Sequence, residues 1–280
     1  MKPMKLIGMI HLDALPGYPR HPGMDAVIEH ALYDAEQLQQ GGIDAILIEN
    51  TYDDPHQKVM AAEQRDGFMQ AAQEIAKKAN VPLGICALFN DYRAALDIAK
   101  AIGGTFVRIP VFTEAVVAAC GIIEGNPYDV ITHRKRIGGE DIKIYADVHV
   151  KHAAPLAPRR IEDSARDALG YGADALIVTG RYTGDLPAEK DAFTLRKEFP
   201  EAQLIIGSGI TKKAFAPSFF CGVRELFVPG ILDAAIVGTY LKVDGRVQAS
   251  RVQDVQEEIR FYVQVGINRE HPLYGIHRIW

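Results

Sequence analysis

Several apolar runs in this sequence end in side chains that can move protons or hold anions. Ala45-Ile46-Leu47-Ile48 closes on Glu49-Asn50, and Phe106-Val107 leads into Arg108. Tyr145-Ala146 is followed by Asp147-Val148-His149-Val150-Lys151-His152, Ile10 by His11, and Leu88 by Phe89-Asn90-Asp91. Glu49 and Asp147 are the acid–base candidates. Arg108, Asn90 and Lys151 suit the polarising of a carbonyl or the stabilising of an enediolate oxygen, and His11 completes the catalytic set.

A second group is made of glycines. Leu204-Ile205-Ile206 runs into Gly207-Ser208-Gly209, and Ala235-Ile236-Val237 into Gly238-Thr239. Glycine lets backbone N–H groups approach a phosphate closely, and the Ser208 and Thr239 hydroxyls are further donors.

Each reading has a plainer rival. Glu49 and Arg108 also suit a buried ion pair, although several charges in one core are seldom kept without use. Asp147 and His149 lie on one side of a continued strand and could share a metal. No third ligand and no His-Glu-x-x-His is present, so neither metal nor other cofactor is expected. Lys151 could form an imine, which requires a depressed pKa. Thr179–Gly184 reads as a substrate loop or as an ordinary glycine-bounded turn. The stiff Leu15–Gly23 stretch suggests a lid, with Asp25 capping the helix after it. His133-Arg134-Lys135-Arg136 reads as a solvated helix end.

The elements that must position these groups recur regularly. Strand-like runs fall at Leu6–Leu12, Ala45–Asn50, Pro82–Leu88, Phe106–Val111, Ile142–Val148, Ala175–Gly180, Leu204–Gly209 and Ala234–Gly238. Helical periodicity lies between most of them. In Ala26–Gln40, Val27, Ala31, Ala35 and Leu38 share a face, with Glu29, Asp34 and Glu36 outside. Gly41-Gly42, Gly103-Gly104 and Gly172 stand where helices end. Gly42-Ile43-Asp44-Ala45-Ile46 is echoed by Gly172-Ala173-Asp174-Ala175-Leu176, which needs only a glycine helix stop and a turn-tolerant Asp.

Eight strand–helix units imply a (β/α)₈ barrel of class α/β, in which the strand ends form the active face and the last two loops bind phosphate. A doubly wound sheet is the alternative, but no Gly-x-Gly-x-x-Gly follows the first strand. With no linker-like shift, the chain reads as one domain, a barrel over about residues 5–245 and a tail over 246–280. Phe112–Gly125 is irregular, and Phe215–Leu232 suggests an inserted strand or loop. Phe261, Tyr262, Tyr274 and Trp280 suggest that the tail docks on the barrel or on a second subunit.

The 280 residues are 48% apolar, and 31 Lys+Arg against 36 Asp+Glu leave a net charge of −5. That balance disfavours nucleic acid as a partner. Cys86, Cys120 and Cys221 are an odd number without Cys-x-x-Cys, which suits buried small hydrophobes in a reducing compartment. No targeting or membrane-spanning segment is visible, so a cytoplasmic protein is expected, and a homo-oligomer.

The wording of the sequence itself is similar to a known family. Ile7-Gly8-Met9-Ile10-His11-Leu12 with Leu15-Pro16-Gly17, Ile48-Glu49-Asn50, and Asn90-Asp91 before Ala94-Ala95-Leu96 resemble the BtpA family, which includes SgcQ-like proteins. Asp147–Ala153, the most specific stretch, resembles it too, as do Val178-Thr179-Gly180, Gly207-Ser208-Gly209 and Val237-Gly238-Thr239 with Leu241-Lys242. The resemblance covers about residues 6–245 and implies a barrel of the ribulose-phosphate-binding type. The family takes its name from photosystem I accumulation in cyanobacteria, while some similar proteins are linked to sugar-uptake operons. The chain departs from the family pattern at Ile109-Pro110-Val111, where Val-Asn-Val is expected, and at Ala118–Gly121, where Thr-Asp-Gln-Gly is expected. Lys212–Phe215 departs as well.

Together these readings predict a barrel enzyme for a small phosphorylated metabolite, such as a phosphorylated sugar. Isomerase or epimerase chemistry leads, with aldolase or lyase chemistry and a non-catalytic assembly or regulatory role as alternatives.

Overall fold

The structure, a computed structural model, describes residues 4–211 and 230–267. Its strands are β1 (Lys5–His11), β2 (Ala45–Glu49), β3 (Leu83–Cys86), β4 (Phe106–Ile109), β5 (Ala115–Ala118), β6 (Gly121–Glu124), β7 (Lys143–Val148), β8 (Ala153–Pro155), β9 (Ala175–Val178), β10 (Gln203–Ile206), β11 (Ala234–Val237), β12 (Lys242–Val243) and β13 (Arg246–Val247). Its helices are α1 (Met24–Gln40), α2 (Ala62–Ala76), α3 (Tyr92–Ile102), α4 (Pro127–Arg136), α5 (Ile161–Gly170), α6 (Glu189–Glu198) and α7 (Ala249–Ile267). Eight parallel strands close a barrel in the order β1-β11-β10-β9-β7-β4-β3-β2. These are the eight runs read from the sequence. Buried on both faces, they are continuous apolar stretches rather than alternating ones.

Two cores result. One lies between sheet and helices, and α1 buries Val27, Ala31, Ala35 and Leu38 there. The other fills the barrel with side chains such as Ile7, Met9, Leu47, Phe106, Ile177 and Ile236. Phe106 stacks on Tyr145 at 4.7 Å between ring centroids. A Cβ on Gly84, in the adjacent strand, would come within 2.2 Å of the Phe106 ring. The barrel is therefore filled, not hollow.

Three aspartates pin the floor of the barrel. Asp44, Asp174 and Asp233 each directly precede a strand. Each accepts, through its carboxylate, the N–H of a residue in the neighbouring strand: Leu6 at 2.7 Å, Ile144 at 2.8 Å and Leu204 at 2.9 Å. Each also donates its own N–H to the carbonyl of that same residue. The echo between residues 42–46 and 172–176 is thus a strand-register device rather than a turn preference alone.

Some local expectations are revised. α1 is capped by Gly23 with no side-chain bond, and Asp25 sits inside its first turn. Asp34, expected outside, is fully buried, because its carboxylate accepts the Val247 N–H at 2.8 Å and faces Lys242 and Arg246. His133 is likewise buried against Asp97, while Arg134, Lys135 and Arg136 end α4 as expected. Phe112–Gly125 holds the β5–β6 hairpin, which joins β8 in a three-stranded antiparallel sheet beside the barrel mouth.

The start of the stretch read as a tail forms helix α7, which packs its Val252 against Gly41 at the end of α1. The side chains of Phe261 and Tyr262, and all of Tyr274 and Trp280, lie outside the described residues. So do Cys221 and residues 215–229 of the Phe215–Leu232 stretch. No helix among the described residues is long and apolar enough to cross a membrane.

Candidate active site

Strand periodicity builds the site. Side chains two apart share a face, so the residues after Ile7 and Met9, after Ala45 and Leu47, after Phe106 and after Tyr145 continue inward. Those residues are His11, Glu49, Arg108 and Asp147. They form a polar layer on top of the apolar filling, at the carboxyl ends of the strands. His11 pairs in register with Glu49, and Glu49 with Cys86.

Arg108 and Asp147 form a bidentate pair, with Nε to Oδ1 and Nη2 to Oδ2 both 2.8 Å. The Asp147 side chain is fully inaccessible. Both its oxygens are committed, so Asp147 anchors Arg108 and does not face the cavity as a free acid or base. Arg108 Nη1 also reaches Glu49 Oε2 at 3.5 Å. Burial would depress the Arg108 pKa, but Asp147 more than offsets this and raises it.

Glu49 is held less tightly than Asp147, since the oxygen that faces Arg108 makes an ion pair but no hydrogen bond. Its Oε1 accepts the Thr51 hydroxyl at 2.9 Å, while Oε2 is buried with no hydrogen-bond partner. Burial raises its pKa, yet Arg108, His11 and Lys151 together overcome this and hold it at about 2. His11 is driven to about 3 by burial first and by the positive charge of Lys242 second, so its imidazole is neutral at ordinary pH. A Cβ on Gly238 would lie 2.9 Å from that ring. Lys151 is lowered by burial and then by Arg108.

The loop after β7 departs from strand alternation. His149 has φ 53°, a left-handed conformation that breaks the period of two. His149 therefore turns away from Asp147, towards Glu114 at 3.6 Å and Ser164 at 3.3 Å, so the shared metal position is not formed. Lys151 comes back to the mouth, with its N–H donating to Thr179 Oγ1 at 3.1 Å.

Two cavities open at the mouth, of about 340 and about 300 Å³. Glu49, Arg108, Lys151 and Thr183 line both, so the charged layer is the partition between two lobes. The smaller lobe contains every member of the glycine set, Gly207, Ser208, Gly209, Gly238 and Thr239, together with His11.

The Ser208 hydroxyl is not free as expected. It donates to the Asp185 carbonyl at 2.6 Å and accepts the Gly180 N–H at 2.8 Å. The Gly207 N–H donates to the Val178 carbonyl at 2.8 Å. A Cβ on Gly209, at φ 75°, would lie 2.5 Å from the Leu186 nitrogen. Much of this glycine content thus serves the close approach of two neighbouring loops.

Asn90 is also committed. Its amide donates to the Val111 carbonyl and accepts the Val111 N–H, both at 2.8 Å, so it shapes the loop after β4 instead of facing the cavity. The Leu15–Gly23 stretch rests on the rim, where Tyr18 donates to the Pro55 carbonyl and Arg20 meets Asp54.

Other participants escaped the sequence reading. Thr51, His56, Cys120 and Tyr240 line the lobes. Asn50 donates to Asp53 and accepts the Leu88 N–H, and Gln64 donates to Asp53, so this buried network ties the loops after β2 and β3. Nothing in residue type or spacing marked them, apart from Asn50 standing at a strand end.

A closed eight-stranded parallel barrel with a polar layer at its carboxyl mouth defines a TIM-barrel protein. The BtpA family model matches residues 2–260, and the chain belongs to that family. An uncharacterized protein of Pyrococcus furiosus is 39% identical over 244 residues, covering 86% of this chain and 88% of that one. The photosystem I biogenesis protein BtpA of Synechocystis is 35% identical over 207 residues, covering 73% and 72% respectively. Among solved structures, N-(5'-phosphoribosyl)anthranilate isomerase from Pyrococcus furiosus shares the fold, with TM-score 0.55, 11% identity, and coverage of 92% of this chain and 99% of that one.

Proposed function

We propose that the protein is an enzyme that transfers a proton on a phosphorylated sugar or similar small metabolite, as an isomerase or epimerase. The observation that carries this reading is the buried Glu49 Oε2, which stands 3.5 Å from Arg108 Nη1 without a hydrogen bond and belongs to a carboxylate that lines both lobes. Such an oxygen suits removal of a proton from a carbon beside a carbonyl. The electron pair moves onto the carbonyl oxygen to give an enediolate. Lys151 and neutral His11 are the donors to that oxygen, and the Arg108 charge steadies it.

A carboxylate held at about 2 is a weak base. The Arg108 and Lys151 charges, however, also stabilise the enediolate, so the field that weakens Glu49 acidifies the carbon it attacks. Return of the proton to the neighbouring carbon, as the hydroxyl proton passes to the former carbonyl oxygen, gives isomerisation. Delivery of a proton by a second acid to the opposite face of the same carbon gives epimerisation. Gly209, Gly238 and Thr239 are proposed to hold the phosphate, with Gly207 and Ser208 bracing their loop.

The test is incubation with a panel of aldose and ketose phosphates in D₂O, read by NMR. Deuterium at the carbon next to the carbonyl is expected with wild type and is lost with Glu49→Gln. No exchange with any member, together with no thermal stabilisation, overturns the reading and favours a barrel that binds without turnover.

Lys151 supports a second reading, an imine-forming aldolase or lyase. It is buried, its pKa is depressed, and it makes no ion pair among the described residues. Borohydride reduction in the presence of substrate traps a covalent adduct on Lys151 in that case and leaves the chain unmodified in the other.

A further inference from the structure

The lobe opposite the glycine loops collects groups that can carry positive charge. Lys151, His56 and His152 line it, together with Arg108 and the hydroxyl residues Thr51 and Thr183. The acids that line it are already paired. Glu49 Oε2 faces Arg108 at 3.5 Å, and Asp54 meets Arg20 at 3.3 Å on the exposed rim. Among the described residues Lys151 makes no ion pair, and His56 Nδ1 is buried with no hydrogen-bond partner. Leu88, Phe89 and Val150 are part of the remaining wall, which is apolar and adds no counter-charge.

His152 is fixed by an unusual backbone. Its φ of 61° is a left-handed conformation that favours glycine. Its N–H donates to the Arg181 carbonyl at 3.1 Å, and its ring lies 2.8 Å from Thr183 Oγ1 and 5.7 Å from the Tyr182 ring. The loops after β7 and β9 thus hold the imidazole at the wall of the lobe. Burial first, then Lys151, His56 and Arg108, keep its pKa below the ordinary value against the opposite pull of Glu49. An anion beside such a ring favours its charged form.

We infer that this lobe receives a second anionic group, a carboxylate or a phosphate, at the end of the substrate remote from the first phosphate. His56 and His152 are its partners, and the Lys151 charge is shared between it and the reacting oxygen. The inference rests on the reading that the glycine lobe takes the first phosphate. Glu49, Arg108 and Lys151 line both lobes, so a sugar with its reactive carbon at Glu49 spans the two. A neutral hydroxyl at the far end leaves the lobe's cationic groups without a counter-charge, whereas an anion supplies one. The substrate class that follows is a doubly anionic sugar, either a bisphosphate or a phosphorylated sugar acid.

The experiment uses four unreactive ligands on the full chain: ribitol 5-phosphate, 5-phosphoribonate, ribitol 1,5-bisphosphate, and ribonate without phosphate. Calorimetry near neutral pH, in two buffers of different ionisation heat, gives the affinity and the protons taken up. Wild type is expected to bind 5-phosphoribonate, the bisphosphate or both about tenfold or more tighter than ribitol 5-phosphate. Which of them gains tells carboxylate from phosphate. The tighter ligand is expected to bring extra proton uptake, as the imidazoles charge. His56→Gln/His152→Gln is expected to lose most of the preference and the extra uptake.

Equal affinity for ribitol 5-phosphate and both doubly anionic ligands overturns the inference and leaves the phosphate reading intact. A preference without extra proton uptake in wild type, where no variant's folding intervenes, also overturns it, because the imidazoles then do not meet the anion. Ribonate that binds as tightly as 5-phosphoribonate, with the same uptake, upholds the anion lobe and removes the phosphate reading. Failure of all four ligands to bind overturns both.

Discussion

Asp147 gives both of its carboxylate oxygens to Arg108, one to Nε and one to Nη2, each at 2.8 Å. This relationship divides labour between two acids that looked equivalent in sequence. Asp147 fixes the guanidinium, and Glu49 Oε2 faces the third nitrogen at 3.5 Å without a hydrogen bond. Asp147→Asn leaves a buried cation without its counter-charge, and the expected loss is about 3–5 kcal/mol in denaturant unfolding. Adding Arg108→Met to Asp147→Asn removes that orphan charge and is expected to recover part of the loss. A double variant no more stable than Asp147→Asn would mean that the pair is not the source of the penalty.

Glu49→Gln keeps shape and volume but removes the base. The expected result is a fall of about 10²–10⁴ in the rate of proton exchange on whichever sugar phosphate supports it, with KM little changed. Thr51→Val, which removes only the hydroxyl that orients Oε1, is expected to cost much less. Rates in Glu49→Gln within a fewfold of wild type would transfer the base to another group.

His11 is buried in its neutral form, so the folded protein resists protonating it down to about pH 3, whereas the unfolded chain takes up the proton near 6.5. Between those values the unfolded state binds more protons. Stability therefore rises with pH across this window and is lost as pH falls, at up to about 1.4 kcal/mol per pH unit. His11→Gln is expected to flatten the unfolding profile between pH 3 and 6.5. An unchanged slope would show that His11 is not buried as a neutral ring.

Lys151 carries a depressed pKa. If it donates to the developing oxygen, the alkaline limb of kcat/KM falls below its ordinary value of 10.5. Lys151→Arg keeps the charge but not the titration, and is expected to retain weak activity with that limb moved upward. A wild-type limb at or above 10.5 excludes Lys151 as the titrating group.

Gly84 leaves room for the Phe106 ring, which a Cβ would approach to 2.2 Å. Gly84→Ala is expected to destabilise the barrel by about 1–3 kcal/mol. Phe106→Leu in the same chain is expected to relieve the clash, read as a recovered melting temperature.

The eight barrel strands were legible because parallel strands buried on both faces must be apolar along their whole length. Glu49, Arg108 and Asp147 were legible because charge at the end of such a run has nowhere to point but the mouth. What the sequence hid depends on distant partners. Asp34 reads as solvent-facing until Val247 and Lys242, more than two hundred residues later, are brought beside it. Ser208 reads as a phosphate donor until its hydroxyl is seen to donate to the Asp185 carbonyl. His149 reads as a neighbour of Asp147 only while the strand is assumed to continue, and its left-handed backbone ends that assumption. The β5–β6 hairpin was masked because short antiparallel strands beside a barrel follow no eight-unit rhythm.

The aspartates at the barrel floor carry a different consequence. Asp44, Asp174 and Asp233 each lock one barrel strand to the barrel strand before it in the chain. Alignment in those three pairs is therefore specified piecewise and does not wait for ring closure. A circular permutant cut at the mouth, away from all three, inherits every one of these locks intact.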